Sequence, residues 1–177
     1  MMTGIRNFKK DLVQIKAFAF DVDGVFTDGS VFLFPEGEFM RAMNIKDGYA
    51  VQYCIKQGYP VAVITGGNSE MVKKRFINLG VTDIYLKSHN KYVDYEDFRL
   101  KYQLEHQNIL FMGDDLPDYE IMKIAGVPAC PADAAQEIKD ISKYISDKKG
   151  GQGCVRDVIE QVLRLHNKWM IEGALSW

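Results

Sequence analysis

Short apolar runs bounded by Gly, Asp or Pro alternate with stretches of helical period along almost the whole chain. That order predicts a parallel β-sheet covered by helices on both faces. The runs AFAF (17–20), VAVIT (61–65), IYL (84–86), ILFMG (109–113) and VPAC (127–130) are too apolar for half-exposed strands and read as buried ones. Capping residues mark the helices between them. Asp47 opens one that stops at Gly58, Ser69 opens SEMVKKRFINLG, Asn90 opens KYVDYEDFRLKYQL, and Pro117 starts PDYEIMKIAG. A last helix is expected from about Val155, turning Val158, Ile159, Val162, Leu163 and Leu165 toward the core. The expected fold is a doubly wound, Rossmann-like α/β sheet with helices on both faces.

One segment breaks the alternation. SVFLFPEGEFMRAM (30–43) reads as two strands joined by a Pro-Glu-Gly turn, a β-hairpin inserted after the first strand. Val31 and Leu33 point one way, Phe32 and Phe34 the other, with Phe39 and Met40 opposed in the return strand. A two-stranded ribbon cannot cover two apolar faces from its own chain. Either other subunits bury them, or one face lies on the parent domain and the other is tolerated apolar surface.

Composition narrows the class. At 177 residues and 47% hydrophobic content, the chain can bury one sizeable core, so a single domain over residues 1–177 is expected. Its 22 Lys and Arg against 24 Asp and Glu give a net charge of -2. No basic field exists to hold nucleic acid or an anionic membrane, and neither is expected as a partner. Cys54, Cys130 and Cys154 are odd in number and lack CxxC spacing, which suits a reducing compartment better than a disulfide framework or zinc. With no apolar leader at the N-terminus and no run of membrane-spanning length, a cytoplasmic location is expected.

The candidate chemistry lies in carboxylates. Asp21 and Asp23 stand just past AFAF, and Asp114 and Asp115 just past ILFMG, where a parallel sheet places its ligands. If the two strands are neighbours, at least three carboxylates meet, and like charges so crowded call for a cation. Oxygen ligands without His or Cys favour magnesium over zinc. A helix-loop-helix calcium site fails, because Phe26 and Phe32 occupy its obligatory glycine and glutamate positions. Asp28, beside Gly29, reads equally well as a turn former.

DVDGVFTDG, Thr65 closing VAVIT, Lys91 and then GDDLPD resemble the ordered motifs of the haloacid dehalogenase superfamily of phosphotransferases. The resemblance covers nearly the whole chain, including the hairpin and the segment KKGGQGCVRDV. It implies Asp21 as nucleophile, Asp23 as general acid and base, and magnesium held by Asp21, Asp23 and Asp114. Thr65, Gly66 and Lys91 would hold phosphate, and Asp115 and Asp118 would support the metal's ligands. Such a carboxylate nucleophile splits one hard displacement into two easier ones through an aspartyl-phosphate, provided that anion repulsion is offset.

The intervals from Asp21 to Thr65 and from Thr65 to Lys91 are filled by the predicted hairpin, helices and strands, so no cap domain fits. The resemblance implies a homotetramer whose hairpins pack together and whose neighbouring subunit closes the site. The glycine-rich stretch within 148–154, ahead of the last helix, reads either as a flexible tail reaching that neighbour, with Arg156 as an anion contact, or as a simple loop. The substrate implied is a sugar-acid phosphate monoester, an eight-carbon octulosonate 8-phosphate ahead of a nine-carbon ulosonate 9-phosphate, with Asn44 and Arg75 as further substrate contacts. An arginine common in such phosphatases after the second-motif glycine is replaced here by Gly67. From other classes, a phosphotransferase is disfavoured by the missing cap, and a non-catalytic oligomeric scaffold by the crowded carboxylates.

Overall fold

In strand β1 (Ala17–Phe20) the two phenylalanines face one hydrophobic layer and the two alanines the other. This alternation of large and small side chains lets one strand serve both sides of a sheet. The computed structural model describes residues 9–35, 39–171 and Ala174. Its main sheet has six parallel strands in the order β5-β4-β1-β6-β7-β8, the others being β4 (Val61–Ile64), β5 (Asp83–Tyr85), β6 (Ile109–Met112), β7 (Val127–Cys130) and β8 (Tyr144–Ile145). The chain winds outward from β1 through β4 to β5, returns to β6 beside β1, and winds outward again. The β1–β6 pair, with Phe20 opposite Met112, is therefore the point where strand order reverses and a crevice opens beyond the carboxyl ends.

Helices α2 (Ile45–Lys56), α3 (Glu70–Asn78) and α7 (Cys154–Leu165) supply the layer around Phe18 and Phe20. Helices α4 (Lys91–Lys101), α5 (Tyr119–Ile124) and α6 (Gln136–Ile141) supply the other, around Ile64, Phe98 and Phe111. Truncating any of these wholly buried phenylalanines to alanine costs about 3–5 kcal/mol. A short α1 (Lys9–Leu12) precedes β1. Among the described residues, no helix is long and apolar enough to cross a membrane.

Several sequence expectations need correction. Helix α2 is capped by Asn44, whose side chain accepts from Lys46 N, and not by Asp47. Asp47 lies within the first turn and is wholly buried; its two oxygens accept from Gly153 N at 3.2 Å and Arg156 N at 2.7 Å. It caps α7 from across the interface, a role that spacing along the chain does not encode. Pro117 is the middle residue of a single 3-10 turn, Leu116–Asp118, and does not start a helix; α5 follows from Tyr119. Leu165, expected in the core, is 39% exposed at the last turn of α7. The caps at Ser69 and Asn90 stand as read. Among the described residues, α1, α6, β8 and a 3-10 turn at His106–Asn108 lie outside the elements that the sequence pattern predicts.

The inserted hairpin is reduced to β2 (Phe32–Leu33) and β3 (Phe39–Met40), which pair antiparallel. The Glu-Gly part of its expected turn lies outside the described residues. In the single chain neither apolar face is covered: Phe32 is 62% and Leu33 73% exposed, and Val31, Phe34, Phe39 and Met40 are exposed as well.

Candidate active site

Asp21 immediately follows β1, and its amide donates to the Met112 carbonyl at 3.0 Å, carrying the β1–β6 ladder one residue past the strand. Its side chain is thereby fixed in the crevice. Asp114 follows β6 after Gly113, and Asp118 closes the 3-10 turn behind it. Asp118 Oδ2 accepts from Asp114 N at 3.1 Å and folds the turn back onto the strand end. One carboxylate oxygen each from Asp21, Asp114 and Asp118 lies within 4.8 Å of the others. The glycines of both motifs make this possible. At Gly24 the backbone has φ +83 and a Cβ would stand 1.9 Å from Asp114 Oδ2; at Gly113 a Cβ would stand 2.4 Å from Asp118 Oδ2.

Lys91, the first residue of α4, reaches into the cluster. Its Nζ lies 2.9 Å from Asp21 Oδ1 and 2.7 Å from Asp118 Oδ1, and it is buried. Burial pushes the Asp21 carboxyl up to about 8, helped by the charge of Asp118 and opposed by Lys91. Burial likewise pushes Asp114 up to about 7, with Asp118 and Asp115 adding to it, and raises Asp118 against the pull of Lys91. For Lys91, burial works against the charge, but Asp21 and Asp118 outweigh it and hold the ammonium above its usual value. One ammonium is too little for three carboxylates. This all-oxygen donor set with surplus negative charge fits a hard divalent cation.

Thr65, one residue past β4, is buried, and its Oγ1 accepts from Gly67 N at 3.1 Å. Asp21, Asp23, Thr65, Gly66, Lys91 and Asp114 all line one cleft of about 590 Å³, with the exposed Asp115 at its edge. Asp28 accepts from Ser30 N at 2.9 Å and acts as a turn former.

The remaining expected residues are placed differently from the sequence expectation. The Asp23 carboxylate is not part of the three-oxygen cluster; it faces Arg41, with Nε–Oδ1 2.5 Å and Nη2–Oδ2 3.0 Å. Asp118, expected to support the ligands from outside, is a member of the cluster. Asn44 caps α2 and its Nδ2 donates to Gly151 O at 3.4 Å. Arg75 packs over Gly48 and lines a separate groove with Arg41 and Met43. The Arg156 side chain pairs with Glu160 at 3.4 Å and lies over the Trp169 ring. None of these three lines the carboxylate cleft. The GGQG stretch is a loop folded onto its own chain and not a free tail: Gly150 N donates to Asp133 Oδ1 and Gly151 N to Val25 O, each at 2.9 Å. Two residues near the site escaped the sequence reading. Arg41 offered only the signal of a lone cation among apolar hairpin positions, and Thr27 looked like an ordinary loop hydroxyl. Thr27 is wholly buried and accepts from Gly24 N and Gly29 N at 3.2 Å, which shapes the loop after β1.

Comparison with known proteins gives the family and the fold. A family profile of haloacid dehalogenase-like hydrolases matches residues 76–159. The 3-deoxy-D-manno-octulosonate 8-phosphate phosphatase KdsC of Yersinia pestis is 33% identical over 168 residues, 93% of this chain and 89% of the relative. The enzyme of the same name from Escherichia coli K12 is 32% identical over 155 residues, 88% of this chain and 82% of its own. Among solved structures, the Moraxella catarrhalis phosphatase of that name, in complex with magnesium, phosphate and a KDO molecule, superposes with a TM-score of 0.87 at 32% identity, covering 95% of each chain. The Yersinia pestis structure gives 0.89 at 31% identity, covering 92% of this chain and 88% of that one. The chain belongs to the haloacid dehalogenase-like hydrolases and is a phosphoric monoester hydrolase, similar over most of its length to the 3-deoxy-D-manno-octulosonate 8-phosphate phosphatases.

Proposed function

We propose that the protein hydrolyses a sugar-acid phosphate monoester, 3-deoxy-D-manno-octulosonate 8-phosphate, with magnesium and through a phosphorylated Asp21. The observation that carries this reading is the meeting of Asp21, Asp114, Asp118 and Lys91 at the β1–β6 crevice. The names of the relatives support the substrate, and the magnesium, phosphate and KDO of the Moraxella structure support the cofactor.

Asp21, Asp114 and Asp118 would hold the ion. Bound there, magnesium neutralises phosphate oxygens and lowers the repulsion between substrate and carboxylates. Lys91 and the hydroxyl of Thr65 hold the phosphoryl group in line with Asp21. An Asp21 oxygen forms the bond to phosphorus as the ester bond to the sugar oxygen breaks, and Asp23 gives that oxygen its proton. A water then attacks phosphorus, Asp23 takes back a proton, and the Asp21 carboxylate and inorganic phosphate separate.

Residues 1–177 are read as one domain, since both hydrophobic layers share a single sheet. The exposed apolar hairpin supports assembly into a homotetramer, and three unpaired buried cysteines suit a reducing cytoplasm. The test is phosphate release from a panel holding octulosonate 8-phosphate, a nine-carbon ulosonate 9-phosphate, a neutral hexose phosphate and an aryl phosphate. The octulosonate ester should show the highest kcat/KM, and only with magnesium. Preference for the neutral hexose phosphate would overturn the substrate assignment.

A further inference from the structure

Arg41, just past β3, grips Asp23 with two nitrogens, Nε at 2.5 Å and Nη2 at 3.0 Å, while Nη1 donates to Phe39 O at 3.1 Å. Its side chain is only 9% exposed, so the fork is fixed by packing. Gly67 borders the pair: a Cβ there would stand in ordinary contact with both groups, 3.5 Å from Arg41 Nη2 and 3.6 Å from Asp23 Oδ2. Arg41 also lines a groove of about 220 Å³ with Phe39, Met43, Met71 and Arg75, next to the cleft that holds the carboxylate cluster. Through Asp23, which lines that cleft, Arg41 stands at the boundary between the two cavities.

A guanidinium fork bound to a carboxylate is a strong, directional pair, and a second carboxylate presented to it competes for the same donors. We infer that Arg41 is a positioning residue that couples substrate recognition to Asp23: the sugar-acid carboxylate takes the Arg41 fork, and Asp23, released, turns to the reacting ester oxygen. A substrate without a carboxylate leaves Asp23 held on Arg41 and turns over slowly. The resting pair thus screens for acidic sugars. This inference rests on the sugar-acid reading above.

The experiment measures kcat and KM for octulosonate 8-phosphate and for an aryl phosphate in the wild type, Arg41→Gln and Arg41→Lys. In Arg41→Gln the ratio of kcat/KM between the two substrates should fall roughly 10- to 100-fold, the worth of a charged hydrogen-bonded pair, while kcat for the aryl phosphate rises because Asp23 is no longer held. Arg41→Lys, which keeps the charge without the fork, should fall between, and it serves if the glutamine variant does not fold. Calorimetry with free octulosonate should show at least about ten-fold weaker binding in whichever variant folds. An unchanged ratio, an aryl-phosphate kcat that does not rise, or unchanged octulosonate affinity overturns the inference. Failure of the wild type to hydrolyse octulosonate 8-phosphate at all would instead overturn the substrate reading on which it rests.

Discussion

The ammonium of Lys91 lies 2.9 Å from Asp21 Oδ1, joining the first residue of α4 to the residue that follows β1. The same nitrogen reaches Asp118, so a single cation holds the cluster together from the far side of the cleft. Lys91→Met should therefore abolish phosphate release and also lower stability by about 3–5 kcal/mol, the usual cost of leaving buried charges without their partner. Urea denaturation in EDTA measures the second effect, and magnesium should restore part of it. A stability equal to the wild type would mean that the carboxylates are not crowded in solution.

Burial and mutual repulsion raise Asp21 and Asp114, to about 8 and about 7. Without metal the folded chain then holds protons that the unfolded chain gives up near pH 4. By linkage, the stability that these two groups contribute is fully present below about pH 4 and is lost as pH rises through their raised values. The melting temperature in EDTA should fall between pH 6 and pH 8, and magnesium should stabilise more at pH 8 than at pH 6. Asp21→Asn should flatten that slope, abolish turnover and leave stability equal or higher. A metal-free melting temperature that rises over the same interval would contradict the picture.

Asp47 ties α2 to the first turn of α7 through two buried hydrogen bonds. Asp47→Ala should cost about 1–2 kcal/mol, the range for a lost helix cap, with an unchanged denaturant slope. Asp47→Asn, which keeps one carbonyl acceptor, should recover part of the loss. Because α7 forms one wall of the Phe18 and Phe20 layer, the loss should appear in global unfolding and not as local fraying.

Phe32 and Leu33 stand 62% and 73% exposed on a two-residue strand, more apolar surface than a small hairpin sustains by itself. Phe34→Asp together with Leu33→Asp should lower the mass seen by sedimentation while the circular dichroism of the main domain persists. An unchanged mass would remove the hairpin from the assembly surface.

The sheet and its ligand-bearing strand ends were legible because each depends on local pattern: apolar runs of strand length, and aspartates directly after two of them. That β1 and β6 are neighbours was a condition that doubly wound topology allows but local pattern does not decide, and Phe20 opposite Met112 meets it. What escaped depends on contacts between distant segments. Asp47 looks like a cap for its own helix, yet it caps another. GGQG is rich in flexible residues but is fastened by Val25 and Asp133. The pairing of Arg41 with Asp23 needs the chain after β3 to return to the loop that follows β1, which no periodicity reports. Leu165 continues the apolar stripe of α7 past the point where the core ends.

Transfer of the phosphoryl group to Asp21 is tested most directly by acid-quenching a single turnover of substrate labelled in its phosphate. The wild type with magnesium should retain label on the protein in a form released by hydroxylamine, as an acyl phosphate is, and Asp21→Asn should retain none. Turnover without any labelled protein on the time scale of the reaction, or label that persists in Asp21→Asn, would contradict the account.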